Sequence, residues 1–441
     1  MSGRKSVKAS PAVPETGAPQ GWRFIDLFAG IGGFHKAMTD LGGECVFASE
    51  IDRDARTVYR ANYGMEPEGD IKPLTEGPRV LVPAHDVLCA GFPCQPFSKS
   101  GLQRGMEETR GTLFFNILKI IEARQPRFVI LENVRNLAGP RQRATWETII
   151  LSLRQLGYRV SDKPTVFSPH FLDEAHEGRP QIRERVFILA EYVGDQDLAF
   201  MDIEPLVERA PIDGWSPRKW DIEEWLQDDS EIEHPRRYAL RPSELKWIEA
   251  WNDFVKQLAA RESLPGHPIW ASEFRVNAKH FSWTPAWKVN FLEKNAALYR
   301  RNKVWIDEWK QKHGVNDFPE SRQKFEWQAG KPEKPDLWKT VMHLRPSGLR
   351  VKSPTYLPAL VAINQTSIIG SRKRRITPRE AARLQGLPDG FVLHERDAVT
   401  YKQMGNAVNV GVVKHVARAL FDASEVGWPD VRQLDWAAAT A

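Results

Sequence analysis

Between Trp22 and Tyr192 the chain alternates short β-rich runs with amphipathic helical ones, and this rhythm limits the fold more than any other feature. Runs rich in apolar and β-branched residues occupy 23–28, 45–50, 87–91, 127–132 and 185–191. Stretches with apolar residues at helical spacing fill 34–41, 53–62, 112–124 and 143–156. Parallel strands cannot be joined by tight turns, so strands separated by helices of this length predict βαβ units. The expected fold class is α/β, a doubly wound, mostly parallel, Rossmann-like sheet. Ligands of such sheets lie beyond the carboxyl ends of the strands, and the unusual residues of this region fall there.

After about Gly194 the rhythm stops. Residues 195–340 hold twelve of the sixteen tryptophans, with dense charge, and predict a second, smaller domain. Regular structure returns near 372–386, where Thr377-Pro-Arg-Glu380 reads as a capping box with Pro at the first helical position and Gly386 as a helix stop. A last helix is expected over 407–422. The expected division is a tail over 1–20, a main domain built from 21–193 and 403–441, a second domain over 194–371, and a connecting segment over 372–402.

Composition excludes several classes. With 41% hydrophobic and 27% charged residues the chain is neither fibrous nor largely disordered. No apolar run reaches the roughly eighteen residues of a membrane span, and the first twenty residues lack the apolar core of a signal peptide. Three cysteines, Cys45, Cys89 and Cys94, are too few and too close for a disulfide framework, so a cytoplasmic location is expected. Lys and Arg (62) exceed Asp and Glu (57) by five, which permits a polyanionic partner without requiring one.

The segment Phe24–Phe34 reads as strand, glycine turn and helix start. Gly30, Gly32 and Gly33 permit close backbone approach, and the helix N-terminus offers unpaired N–H groups. The Gly30-x-Gly32-Gly33 spacing departs from the G-x-G-x-x-G of dinucleotide folds. Asp26 and Phe28 stand just before it. Glu50 ends the next strand, where a carboxylate can accept both ribose hydroxyls, and Asp70 can take an adenine amine. Alone, this cluster fits any nucleoside-bearing cofactor, and the glycines alone fit ordinary tight turns.

The stretch 86–98 ends an apolar strand at Gly91 and then brackets Cys94 between Pro93 and Pro96. Two prolines stiffen the turn and hold a thiol at the rim of the sheet, as a covalent catalyst requires. Cys45 and Cys89 sit in apolar runs and read as core. No His or further Cys stands at metal-ligand spacing from Cys94, so no metal is expected. The loop 99–111, with Gly101, Gly105, Gly111, Lys99, Arg104 and Arg110, is basic and suited to closing over a polyanion.

In order along the chain, DLFAGIGGF, GFPCQPFS, LENV, QIRERVFIL, TPREAARLQGLPD and QMGNAV closely resemble the motifs of DNA (cytosine-5) methyltransferases, over roughly 22–192 and 372–421. The resemblance implies S-adenosyl-L-methionine as methyl donor, cytosine in duplex DNA as acceptor, and a catalytic domain beside a target-recognition domain. It implies donor contacts from Phe28, Gly30, Gly32, Gly33, Glu50, Ile51, Asp70, Asn406 and Ala407, and DNA contacts from Gln95, Ser98, Ser100 and Arg104. A restriction–modification role follows, with a cognate endonuclease acting separately and a monomeric enzyme.

The chemistry supports the same residues. Cytosine C5 is a poor nucleophile until a thiolate adds to C6 and leaves an enamine. Addition is easier when N3 is protonated or strongly hydrogen-bonded. Glu132, at the end of its strand, is assigned the N3 contact, with Asn133 as an orienting group; a polar strand cap is the plainer reading of that pair. Period-two geometry sends Arg183 and Arg185 to one face, where they can hold the target phosphate and the base O2; solvated ion pairs are the alternative. Asn406 also reads as a helix N-cap. A duplex cytosine must rotate out of the stack to reach Cys94.

In the second domain, Tyr299–Lys303 and Ser321–Lys324 offer side chains for phosphate or guanine contacts. Trp305 and Trp309, four apart on one helix, read as core. Two other functions remain open from sequence: a tRNA cytosine methyltransferase on the same scaffold, and a non-catalytic DNA-binding regulator.

Overall fold

The computed structural model describes residues 21–93, 112–360 and 366–424. The chain divides into two compact units, residues 1–218 with 382–441, and residues 219–381. The boundary expected at 193/194 therefore lies at 218/219. Residues 194–218 stay with the first unit, tied there by the Trp215 indole N–H on the His170 carbonyl (3.0 Å) and the Ile212 N–H on the Phe171 carbonyl (3.0 Å). The segment 372–402 is not a separate connector, because the division falls between Ala381 and Ala382.

The first unit is built on a seven-stranded sheet. Its opening elements are β1 (Arg23–Leu27), α1 (Gly33–Asp40), β2 (Glu44–Ser49), α2 (Arg53–Tyr63), β3 (Val87–Gly91) and β4 (Phe128–Val134). The order is β2-β1-β3-β4, all parallel, followed by the antiparallel strand Arg185–Tyr192, which pairs on with Tyr158–Val160 and Thr165–Phe167. From β1 the chain first winds outward to β2, then crosses back to β3 on the other side. The carboxyl ends of β1 and β3 are thus the switch point of a doubly wound sheet.

Central parallel strands are covered on both faces and must be apolar on both. Phe128, Val129, Ile130 and Leu131 are all buried accordingly. On one face Ile25, Leu88 and Val129 join Ile117, Ile121, Ile149 and Leu153 from the helices Leu113–Arg124 and Arg143–Gln155. On the other, Phe128 packs against Phe421 of the helix Val410–Asp422, and Phe24 meets His35 of α1 edge-on.

The C-terminal helices differ from expectation. A helix spans Asp397–Asn406, so Asn406 ends one helix and does not start the next. Ala407 is extended (φ −60°, ψ 147°). The last helix begins at Val410, capped by the Asn409 side chain accepting from the Val412 N–H (3.0 Å). No helix among the described residues is long and apolar enough to cross a membrane.

The second unit holds a six-stranded sheet, ordered Arg374–Arg375, Ile368–Ile369, Val341–Arg345, Gly348–Lys352, Lys324–Gln328, Ile269–Trp270. One face packs on the helices Pro242–Ala259 and Ala286–His313. Trp251, Trp305, Trp309 and Trp327 are buried there, Trp251 stacking on Phe325 at 4.8 Å. A buried indole N–H needs an acceptor, and each has one: the Arg322, Ala250 and Gly330 carbonyls for Trp251, Trp309 and Trp327, and the Asn302 side chain for Trp305. The capping box forms: the Thr377 N–H donates to the Glu380 carboxylate (2.8 Å), and the Glu380 N–H to the Thr377 hydroxyl (3.1 Å).

Candidate active site

A cavity of about 460 Å³ opens at the carboxyl ends of β1 to β4. At one end the backbone turns sharply after β1. Phe28 adopts φ 56° and Gly30 φ 56°, and the Gly30 N–H donates to a Glu50 carboxylate oxygen (2.8 Å). The other Glu50 oxygen accepts from the Asp52 N–H (2.7 Å). The carboxylate is thus fixed with lone pairs to spare toward the cavity. Ile51 beside it is 72% exposed despite being apolar, and Asp70 lines the same end. The Lys402 ammonium donates to Asp52 (2.9 Å) and holds that carboxyl below the usual range.

At the other end stand Gly91, Phe92 and Pro93 of the β3 terminus, with Glu132 and Arg185. Glu132 is 8% exposed, and burial raises its pKa against the opposing pull of the Arg185 and Arg183 charges. The Arg185 Nε lies 3.0 Å from its carboxylate. This contact exists because the strand Arg185–Tyr192 runs antiparallel to β4 with Arg185 opposite Val134, so its first residue meets the last residues of β4.

The cavity brings together Phe28, Gly30, Glu50, Ile51, Asp70, Glu132, Arg185, Asn406 and Ala407 from the residues expected at the site. Others stand elsewhere. Gly32 and Gly33 are not among its lining; they serve close packing. A Cβ on Gly32, at φ 85°, would meet the Tyr63 ring at 2.2 Å, and one on Gly33 would meet Val408 at 2.6 Å.

Asn133 does not hold Glu132. Its amide N–H donates to the Phe92 carbonyl (2.8 Å) and its oxygen accepts from the Val134 N–H (2.8 Å), which fixes the backbone leading to Pro93. Arg183 is 2% exposed and does not line the cavity. Its Nη2 donates to the carbonyls of Gly405 (2.8 Å) and Ala407 (2.6 Å), and burial pushes its pKa down to about 9.

Cys94, Gln95, Ser98, Ser100 and Arg104 lie outside the described residues. The sequence reading missed Asp52 and Lys402. The only local sign of Asp52 was a helix N-cap residue two after Glu50, and its partner is 350 positions away.

A fixed carboxylate and an exposed apolar side chain thus stand at the switch point of an α/β sheet, with a buried carboxyl–guanidinium pair at the far end of the cavity. The chain belongs to the C-5 cytosine-specific DNA methylase family, whose description matches residues 22–422, and it is a DNA (cytosine-5)-methyltransferase of the type II restriction–modification class. It is 42% identical to type II methyltransferase M.AluI of Cellulosimicrobium cellulans, over 90% of this chain and 91% of that protein. It is 32% identical to M.HpaII of Haemophilus parainfluenzae, over 90% and 89%. The solved structure of S. pombe Dnmt2 methyltransferase matches with a TM-score of 0.47 at 16% identity, covering 91% of this chain and 98% of that one.

Proposed function

We propose that the cavity holds S-adenosyl-L-methionine and a cytosine rotated out of duplex DNA. The donor set fits this cofactor. Glu50 can accept the ribose hydroxyls, Ile51 offers exposed apolar surface to the adenine, and Asp70 can accept from the adenine amine. Gly30 leaves open space where a Cβ would stand. When bound, this cofactor supplies an electrophilic methyl group.

In this reading the Cys94 thiolate adds to C6 of the base while Glu132 donates to N3, so that negative charge does not build up on the ring. The enamine carbon C5 would then take the methyl group, and a base would remove the proton C5 still bears as the thiolate leaves C6 and the ring's double bond is restored. Burial raises the Glu132 pKa, the direction a proton donor to N3 requires, and that burial is the observation that carries its role. Arg185 fixes the orientation of that carboxyl. Arg183 acts at one remove, holding the backbone of Gly405 and Ala407 at the cavity wall. DNA methylated in this way would be protected from a cognate endonuclease.

The test is transfer of labelled methyl groups to duplex DNA and to tRNA in parallel, with Cys94→Ser as control. Transfer to DNA alone, lost in the variant, is expected. Equal transfer by the variant, or transfer to tRNA alone, overturns the proposal. Trapping of the protein on 5-fluorocytosine DNA in the presence of the donor checks the covalent step.

A further inference from the structure

The basic runs that stand out in the sequence of the second unit are already engaged. Arg301 pairs with Glu262 (2.9 Å), Lys303 with Asp307 (2.6 Å) and Lys324 with Glu320 (2.6 Å), while Arg300 donates to the Val276 carbonyl (2.7 Å). A different set of cations is gathered by the sheet. In the antiparallel pair Val341–Arg345 and Gly348–Lys352, Met342, Leu344, Leu349 and Val351 enter the core. Alternation then places His343, Arg345, Arg350 and Lys352 on the opposite face, His343 directly across from Arg350. The parallel neighbour adds Glu326 beside Arg350.

Three cations therefore face one carboxylate. Glu326 is taken by Arg350, through Nε (2.8 Å) and Nη2 (2.7 Å). Among the described residues, neither Arg345 nor Lys352 has an acidic partner or a side-chain hydrogen bond. Both are half-buried. The groups lie close enough to act on one another. His343, bonded to the Ser367 hydroxyl (2.7 Å), has its pKa pushed down to about 3 by burial and by the charges of Lys352, Arg345 and Arg350. Burial, then Arg350, likewise lowers Lys352 against the opposing pull of Glu326. Like charges held together and partly desolvated cost free energy that an external anion removes.

We propose that this face binds the phosphodiester backbone of the DNA substrate, with Arg345 and Lys352 as phosphate contacts and Arg350 braced by Glu326. The proposal rests on the assignment of the chain as a DNA methyltransferase. Backbone contact is favoured over base reading because base edges require a donor fork held at a fixed angle. Nothing among the described residues orients Arg345 or Lys352, and a lysine acts on phosphate as a point charge.

The experiment uses the full chain with Arg345→Met, Lys352→Met and the double variant. Binding is measured by anisotropy on two duplexes, one carrying the site mapped by bisulfite sequencing and one scrambled, across a salt series. Each single variant is expected to weaken binding about three- to tenfold on both duplexes alike and to lower the salt slope by about one. The double variant lowers the slope by about two, and thermal stability of the free protein is unchanged or higher because repulsion is relieved. A companion variant, Glu326→Gln, is expected to tighten binding two- to threefold with a steeper slope, about one more ion released.

Unchanged affinity and slope overturn the proposal. Loss confined to the site-bearing duplex also overturns it, by indicating a base contact. If the unsubstituted protein neither methylates nor binds duplex DNA, the methyltransferase assignment itself fails, which is a distinct result.

Discussion

Arg185 meets Glu132 through its Nε at 3.0 Å, with only 18% and 10% of the two side chains exposed. Burial favours the protonated acid and the guanidinium favours the carboxylate; burial is the larger effect, and the pKa is raised. Glu132→Gln is expected to slow single-turnover methyl transfer about a hundredfold or more, while donor affinity measured by calorimetry stays near that of the unsubstituted enzyme. Arg185→Ala removes the largest opposing charge. Its pH–rate profile should shift its Glu132 limb to higher pH, with a lower maximum because the carboxyl is no longer oriented.

Arg183 should behave differently although it stands two residues away. Arg183→Met leaves the Gly405 and Ala407 carbonyls without their donor, at a cost of about 1–3 kcal/mol. The expected result is a lower melting temperature and a raised KM for the methyl donor, with a smaller change in kcat. Arg183→Lys should recover part of both. A fall in kcat alone would contradict a positioning role.

Gly33 packs against Val408, where a Cβ would stand 2.6 Å from a side-chain methyl and 2.9 Å from the backbone carbonyl. Backbone cannot swing aside as a long side chain can. Gly33→Ala should therefore destabilise the first unit by about 1–3 kcal/mol and reduce donor binding through the displaced Val408, measured by denaturant melts with and without donor.

Asp26 is fully buried on β1, one oxygen accepting from the His35 N–H (3.2 Å) and the other without a hydrogen-bond partner. Burial raises its pKa well above the ordinary carboxylate value of 3.8. The folded protein then holds a proton that the unfolded chain has released, so stability is greatest below the ordinary value and falls as pH rises through the raised one. Asp26→Asn keeps the His35 bond and removes the titration. Its melting temperature should fall less than that of the unsubstituted protein between about pH 5 and 8, and a parallel decline would show that other groups dominate.

The legible parts of the fold were those whose causes are local. The run from Phe24 to Phe34 carries a strand period, a glycine turn and a helix start within a dozen residues. Thr377 and Glu380 sit at the spacing that closes a capping box. Trp305 and Trp309 share a helix face and enter the core. Glu50 was readable because a strand end some twenty residues past the glycine turn returns to it.

What side chains do once the chain has folded depends on partners that no local pattern names. Arg183 and Arg185 look equivalent in sequence, yet one bonds carbonyls 222 and 224 positions away and the other a carboxyl on the neighbouring strand. The basic runs near 300 and 322 stand out as charge but are engaged by nearby acids and backbone carbonyls, whereas Arg345 and Lys352 look unremarkable and have no acidic partner among the described residues. Periodicity and capping are set by neighbours along the chain, and so the sequence alone determined the strands, the turns and the chemistry at hand. Burial and charge pairing are set by neighbours in space, and only the tertiary structure decided which of those residues line the cavity and which hold its walls.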